Sequence, residues 1–129
     1  MNKNRNSTCV VDASYVLSLL LPDEKSRHQD VPQKMIAPSI LDYEIVNGLR
    51  SSVIRNRVTS KLAVALHTEY QKLPIILKKN SFTQVLSLSI EYELSAYDTS
   101  YLALSKNLGL NLYTLDKRLL KIAQSFLKK

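Results

Sequence analysis

Four short apolar runs alternate with longer helical patterns along this chain, and that alternation limits the fold more than any other feature. The runs are rich in Val, Ile and Leu, and turn or helix-start residues follow them. We predict strands over residues 7–11, 35–37, 75–77 and 110–114. Strands separated by helices belong to a parallel sheet that is covered on both faces. The sequence therefore predicts an α/β fold.

Apolar residues at helical spacing, together with start and stop signals, place the helices. Predicted helices cover residues 13–21, 39–50, 59–70, 81–93, 95–108 and 117–127. Polar segments at 22–34 and 51–57 are predicted to be loops. Ser95 is expected to cap the fifth helix, and Gly109 is expected to stop it in a left-handed conformation. At 129 residues, the chain is expected to form one domain over 1–129.

The charge balance indicates the kind of partner. Lys and Arg number 18 against 11 Asp and Glu, a net charge of +7. Such a balance suits nucleic acid or an acidic protein segment, although solubility alone would also explain it. The single cysteine, Cys9, excludes an internal disulfide, fits a reducing compartment and is predicted to be a buried strand thiol. No run approaches the roughly 18 apolar residues of a membrane span. We expect a soluble, cytoplasmic protein without a membrane partner.

Two acids follow predicted strands directly. Asp12 comes after the first strand and Asp116 after the fourth. Ligand sites in open parallel sheets lie beyond the carboxyl ends of the strands, so both side chains are expected at one rim of the sheet. Each acid also directly precedes a helix, and either could therefore be an ordinary N-cap.

Asp98 has two readings as well. With Ser95 it fits a capping box, in which the acid reaches back to the cap residue. Helix geometry, however, places Asp98 between Tyr101 and Leu102, on the apolar side of its helix. A carboxylate turned inward needs a partner, because an unpaired buried charge is costly. A metal ion would supply that partner.

Glu44 flanks the buried stripe of the predicted helix 39–50. Gly48, one turn further along on the same side, is expected to leave room for something to approach the carboxylate. Asp42 lies at the other border of the same stripe. Helix geometry alone does not choose between Asp42 and Glu44.

Carboxylates gathered at one rim would repel each other, and a hard cation would remove that repulsion. Mg²⁺ and Mn²⁺ prefer oxygen ligands and keep some of their waters. The softer donors, Cys9, His28 and His67, show no metal-ligand spacing, so zinc is not expected. The sequence predicts a Mg²⁺ site, with Mn²⁺ as a possible substitute.

Four segments of the chain resemble the sequence motifs of PIN-domain ribonucleases. In length and in the sequence of these segments, the chain resembles the VapC toxins of bacterial toxin–antitoxin pairs. The segments occur in the expected order and cover residues 10–14, 37–49, 94–104 and 112–119. The resemblance implies a three-layer α/β/α sandwich with a central parallel sheet. It also favours Glu44 over Asp42, and it implies that Ser14 and Thr114 contact the ligands or a metal-bound water. The acids that it matches to the family's site are Asp12, Glu44, Asp98 and Asp116.

The implied activity is Mg²⁺-dependent endoribonucleolytic cleavage, in which a water attacks an RNA phosphodiester in line. The implied partners are RNA, a cognate acidic antitoxin that holds the toxin inactive, and a second copy in a homodimer. No residue selects a particular RNA. Basic side chains are expected to contact RNA phosphates around the acids. These are Arg50, Arg55, Arg57, Lys61, Lys117 and Arg118.

Two other functions are compatible with an acid after the first strand. A catalytically inactive PIN-like module that binds RNA or protein is the main alternative, and the presence of all four acids argues against it. A phosphoacceptor domain would need an acid adjacent to Asp12 or two residues after it, where the chain has Val11 and Ser14. Relatives usually carry a longer segment with an additional helix where this chain has only 22–34, so substrate and antitoxin contacts there are not transferred.

Overall fold

A single four-stranded parallel sheet forms the centre of the fold. The structure, a computed structural model, describes residues 7–23 and 31–127. The sheet has the strand order β3-β2-β1-β4, and all three pairings are parallel. Its strands are β1 (Thr8–Val11), β2 (Lys34–Pro38), β3 (Ile75–Lys78) and β4 (Leu112–Tyr113).

Helices form two groups, one for each face of this sheet. In one group α5 lies on β1 and β2, and α4 and α6 pack against α5. In the other group α1, α2 and α3 pack against one another. The result is the predicted three-layer α/β/α sandwich. The helices are α1 (Ala13–Leu20), α2 (Leu41–Ile54), α3 (Ser60–Gln71), α4 (Phe82–Tyr92), α5 (Ala96–Leu108) and α6 (Lys117–Leu127).

The two middle strands are buried on both sides, which explains their unbroken apolar sequence. Cys9, Val10 and Val11 of β1 are all buried, as are Met35 to Pro38 of β2. Burial raises the pKa of the Cys9 thiol to about 12, so this residue is an unreactive part of the core. Because the strands are parallel, their carboxyl ends meet at one rim.

The predicted caps of α5 are confirmed. The Ser95 hydroxyl accepts a hydrogen bond from the backbone N–H of Asp98 (3.0 Å), and Gly109 ends the helix with a φ of 65°. Glycine adopts that left-handed conformation without the steric cost that a Cβ adds. The first turn of α5, which carries Asp98, is therefore fixed at the rim.

Two predicted boundaries were wrong. Helix α2 continues through Ser51–Ile54, which was predicted to be part of a loop. The polar Ser52 is buried there, and its hydroxyl donates to the Gly48 carbonyl (3.0 Å), so its polarity does not end the helix. Strand β4 has only two residues instead of the predicted five, because Leu110 and Asn111 precede the strand and Thr114 follows it.

The predicted loop 22–34 ends earlier than expected, since Lys34 already belongs to β2. Residues 24–30 of that loop, with His28, lie outside the described residues. In the described ranges, no helix has the length and apolar character that a membrane crossing requires.

Candidate functional site

Asp12 lies at the carboxyl end of the central strand β1, where it is 6% exposed. Its Oδ1 accepts hydrogen bonds from the backbone N–H of Tyr15 (3.0 Å) and from the Ser14 hydroxyl (2.7 Å). Its Oδ2 accepts one from the Thr114 hydroxyl (2.5 Å). Asp12 is thus both the N-cap of α1 and an acid at the carboxyl rim of the sheet. The two interpretations of this residue are therefore compatible. Ser14 and Thr114, which were expected to contact the ligands or a metal-bound water, both contact the Asp12 carboxylate.

The same two hydroxyls also fix the turn between β4 and α6. Ser14 accepts a hydrogen bond from the backbone N–H of Leu115, and Thr114 accepts one from that of Asp116, both at 3.0 Å. The exposed Asp116 caps α6 through the N–H of Leu119 (3.1 Å). Asp116 is therefore positioned by the side chains that position Asp12.

Glu44, in the first turn of α2, is half-buried and accepts a hydrogen bond from the phenol of Tyr101 on α5. Tyr101 is 1% exposed, so this bond crosses the protein interior and connects the two helices. From the sequence, Tyr101 was expected only to belong to the apolar side of its helix. Its position three residues after Asp98, on the same helix face, was the signal that could have identified it.

The structure separates Asp42 from Glu44. The exposed Asp42 accepts a hydrogen bond from the phenol of Tyr70 on α3 (2.7 Å), away from the acids at the rim. The space predicted at Gly48 is not available to a ligand, so that prediction was wrong. A Cβ at Gly48 would lie 2.4 Å from Cδ1 of Leu17, which shows that the glycine permits close packing of α1 on α2.

Asp98 uses only half of the predicted capping box. Its backbone N–H bonds to Ser95, but the return bond is missing: no donor within residues 7–23 and 31–127 bonds to the Asp98 carboxylate. The side chain is half-buried at the rim. Its carboxylate oxygens therefore remain available.

The four acids form one electrostatic cluster. Burial is the largest cause of the raised pKa of Asp12, and the charge of Asp116 raises it further. The three hydrogen bonds to the carboxylate lower this pKa and so oppose the rise. Burial also raises the pKa of Glu44, as do Asp98 and Asp12, although the bond from Tyr101 opposes this. For Asp98, burial comes first and the charges of Asp116 and Asp12 follow. In the described part of the chain, no Lys or Arg forms an ion pair with any of the four.

The cluster is wide. Among the described residues, no three or more His, Cys, Asp or Glu side chains are arranged as ligands of one metal ion. Coulomb repulsion acts over longer distances than coordination bonds, so acids that raise each other's pKa need not share one ligand shell. The arrangement is compatible with a cation that is held by one or two carboxylates and completed by water.

The structure distributes the predicted phosphate-binding side chains unevenly. Arg55 follows the end of α2, about 16 Å along the helix from Glu44. Arg57 pairs with Asp23 (2.7 Å), and Arg118 donates to the Tyr92 carbonyl (2.9 Å). Arg50 and Lys61 are exposed further along α2 and on α3, whereas the exposed Lys117 directly follows Asp116. Lys78 and Lys79, at the carboxyl end of β3, were not predicted and lie at the same rim as the acids.

The sequence matches the family described as PIN domain over residues 9–125. It is 32% identical to the VapC ribonuclease Mb0985 of Mycobacterium bovis, an alignment that covers 90% of this chain and 91% of that protein. The chain belongs to the PIN-domain family, among its VapC ribonucleases. It is also similar to ribonuclease VapC3 of Pyrobaculum aerophilum, at 29% identity over 85% of this chain and 90% of the other.

Two solved structures share the PIN fold. The Pyrobaculum aerophilum protein PAE2754 superposes with a TM-score of 0.72 at 22% identity, covering 95% of this chain and 93% of that one. Mycobacterium tuberculosis VapC20, described as a sarcin–ricin loop cleaving toxin, gives a TM-score of 0.65 at 17% identity, covering 88% and 92%. At these identities the likeness supports the fold.

The raised pKa values predict a specific pH dependence of stability. An acid whose pKa is raised by folding holds more protons in the native state than in the unfolded state, from the ordinary carboxyl value of about 4 up to its raised value. Stability contributed by that group falls as the pH rises through this window. In chelator, Asp98→Asn should therefore gain free energy of unfolding relative to the wild type as the pH rises from about 4 to 8.

Denaturant unfolding at each pH measures this difference. Glu91→Gln, which removes an exposed carboxylate on α4, is the matched control and should follow the wild type. An Asp98→Asn curve that ran parallel to the wild-type curve would contradict the coupling of the acids.

Proposed function

We propose that the chain is the toxin of a toxin–antitoxin pair and hydrolyses RNA phosphodiester bonds at the acid cluster. Its metal ligands would come from Asp12, Glu44, Asp98 and Asp116. One observation carries this proposal: burial first and neighbouring acids second raise the pKa values of three carboxylates, Asp12, Glu44 and Asp98, and within the described residues no basic side chain is paired with them. Such an arrangement calls for a bound cation.

The hydrogen bonds indicate which oxygens are free to act as ligands. Oδ1 of Asp12 already accepts two bonds, which fill its acceptor positions, whereas the single bond that Oδ2 accepts from the described residues comes from Thr114. Oε1 of Glu44 accepts the bond from Tyr101, and within residues 7–23 and 31–127 no donor bonds to Oε2. The same holds for both oxygens of Asp98. Oxygen ligands of this kind fit a hard divalent cation.

Mg²⁺ is the proposed ion, with Mn²⁺ as the alternative. Mg²⁺ keeps several waters and commonly uses one or two protein carboxylates, which suits a wide cluster. Divalent-metal dependence is general among PIN-domain ribonucleases. The bound cation would supply the activation of the attacking water and the neutralisation of charge on the leaving oxygen.

The protein side chains orient the ligands. Ser14 and Thr114 hold the Asp12 carboxylate from both oxygens, and Tyr101 holds Glu44. These hydroxyls position residues that would contact the metal, and we assign them no direct part in the chemistry. Of the predicted phosphate contacts we retain Lys117, because it is exposed and adjacent to Asp116.

Three further elements of the proposal concern partners and place of action. The net charge of +7 supports both an RNA substrate and a cognate acidic antitoxin. A homodimer is supported by exposed apolar side chains, among them Val46 on α2 and Leu86 and Ile90 on α4, which a second copy could cover. We propose that the chain acts as one domain in the cytoplasm.

Cleavage of RNA by the purified chain tests the catalytic proposal. Total RNA should be cut with Mg²⁺ or Mn²⁺ and left intact with chelator. Asp98→Asn should reduce cutting to background, because a ligand of the metal is lost. Asp42→Asn is the matched control, since it replaces an acid that lies outside the cluster.

Growth arrest on expression, relieved by Asp12→Ala, provides a test in cells. RNA binding without cleavage in any of these metals would instead favour the inactive PIN-like module.

The role of Tyr101 gives a second test. Tyr101→Phe keeps the shape of the core but frees the Glu44 carboxylate, so Mg²⁺ binding measured by calorimetry should weaken. Unfolding free energy should fall by about 1–2 kcal/mol. Tyr70→Phe removes the equivalent bond to Asp42 and should leave Mg²⁺ binding unchanged. Equal Mg²⁺ affinities in the two variants would argue against the assignment of Glu44.

A further inference from the structure

A groove of about 380 Å³ lies beside the edge strand β4, and we call it the β4 groove. Tyr15, at the start of α1, lines one side, and Leu120 and Gln124 of α6 line the other. Residues 111–114 supply the rest of its lining. None of the four acids lines the groove, and neither do the α2 and α4 side chains that support the homodimer. The β4 groove is therefore separate from both surfaces.

The backbone of β4 is bonded to the sheet on one side. The Val10 N–H donates to the Asn111 carbonyl (2.9 Å), and the Asp12 N–H donates to the Tyr113 carbonyl (3.2 Å). In a parallel ladder the residue between those two carbonyls, Leu112, turns its N–H and C=O away from β1. Neither group has a hydrogen-bond partner among the described residues, although Leu112 is 2% exposed. Buried backbone groups are nearly always hydrogen-bonded, so this pair indicates a missing partner.

The walls of the β4 groove match those that a further strand requires. Strands of a parallel sheet are covered by helices on both faces, and α1 and α6 belong to the helix groups of opposite faces. On the α1 side, Tyr15 packs edge-to-face against Tyr113, with ring centroids 5.3 Å apart. A strand added to β4 would lie about 4.8 Å beyond it, between these two walls. The β4 groove therefore suits an extended peptide.

The charges near this edge lie on α6. Edge strands are often protected by charged side chains of their own, but β4 consists of Leu112 and Tyr113. Lys117 and Lys121 are one turn apart on α6 and share a helix face with Gln124. Both lysines are exposed, and neither forms an ion pair within the described part of the chain. The edge thus combines available backbone groups with positive charge.

Charge distinguishes the occupants that this edge could take. A second copy that paired β4 with β4 would bring Lys117 and Lys121 of both subunits together, and each strand would supply only two residues. An extended segment that carries Asp or Glu is instead attracted by the same lysines. Asp116 lies at the rim end of the groove, so the acid of such a segment is expected beside Lys121, about 6 Å further along α6 than Lys117.

We propose that the β4 groove binds an extended, acidic segment of a partner protein, which adds to the sheet as a fifth strand. The segment bonds to the N–H and C=O of Leu112, its apolar side chains contact the two walls, and its carboxylates face Lys121. In the function proposed above, the partner is the acidic antitoxin, so the identity of the partner rests on that function. A segment that continues past Thr114 reaches Asp116 and the acid cluster.

Amide hydrogen exchange, measured by NMR with a synthetic peptide as the probe, tests the added strand. The probe is an octapeptide in which valine and glutamate alternate. At about nine-tenths occupancy, exchange of the Leu112 amide should slow by about 10-fold, because the bound form is protected. The Val10 amide, which is already bonded to Asn111, is the internal reference and should not change. The same peptide with every backbone nitrogen methylated cannot donate to a sheet and should leave Leu112 unchanged.

Charge-reversal variants test the preference for an acidic segment. At physiological salt, Lys121→Glu should weaken binding of the valine–glutamate peptide by about 2- to 10-fold. It should strengthen binding of the corresponding valine–lysine peptide. Lys61→Glu makes the same change of net charge on α3 and should leave both affinities unchanged. Fluorescence anisotropy of labelled peptides gives the affinities, and denaturant unfolding checks that both variants are folded.

The fifth strand is refuted if the probe at millimolar concentration leaves exchange at Leu112 unchanged, or if the methylated peptide protects it equally. Protection of Leu112 that grows with protein concentration, without peptide, would assign the edge to a second copy. If Lys121→Glu weakens binding of single-stranded RNA in chelator but not of the peptide, the lysine serves the substrate instead. Failure of the catalytic proposal is separate, because a chain that cuts no RNA can still bind the probe. Cleavage without binding of the probe would remove the fifth strand alone.

Discussion

The carboxylate of Asp12 is held at the end of the central strand by hydrogen bonds from Ser14, Tyr15 and Thr114. Residues about a hundred positions apart in the chain thereby meet at one side chain. The Ser14 and Thr114 hydroxyls donate to the acid and accept from the backbone of the next turn, at Leu115 and Asp116. The first and last βα turns of the sheet are joined in this way. The placement of Asp116 depends on this network, and so does the start of α6.

This network stabilises a charge that the fold otherwise disfavours. Three hydrogen bonds support the ionised form of Asp12, yet burial raises its pKa. Asp98 has no such support, because no donor among the described residues bonds to its carboxylate. Repulsion at the rim therefore lowers the stability of the metal-free protein at neutral pH. A cation that removes this repulsion binds the native state in preference to the unfolded chain and stabilises it.

The fold and the rim positions of Asp12 and Asp116 could be predicted from short-range rules, whereas the preference for Glu44 over Asp42 came from the family resemblance. Alternating strands and helices allow few topologies, and an acid after a parallel strand must lie at its carboxyl rim. The misses depended on contacts between distant segments. Gly48 is filled by Leu17 of another helix, and the partner of Tyr101 lies 57 residues earlier in the chain. The continuation of α2 past Ser51 is different, because the buried Ser52 satisfies its hydroxyl locally, on the carbonyl four residues earlier in the same helix.

For the basic residues, distance along the sequence was a poor guide to distance from the acids in space. Arg55 and Lys61 are near Glu44 in sequence, but a helix carries the chain away from the rim by 1.5 Å per residue. Lys78 is distant in sequence, yet β3 returns it to the rim, since every parallel strand ends there. The first turns of α2 and α5 stay at that rim. Their consecutive residues point about 100° apart, so each helix turns one side chain toward the acids and the preceding one away from them. The orientation of these two helix ends therefore determines where Glu44 and Asp98 lie, and a change that tilts either end must disturb the acid cluster.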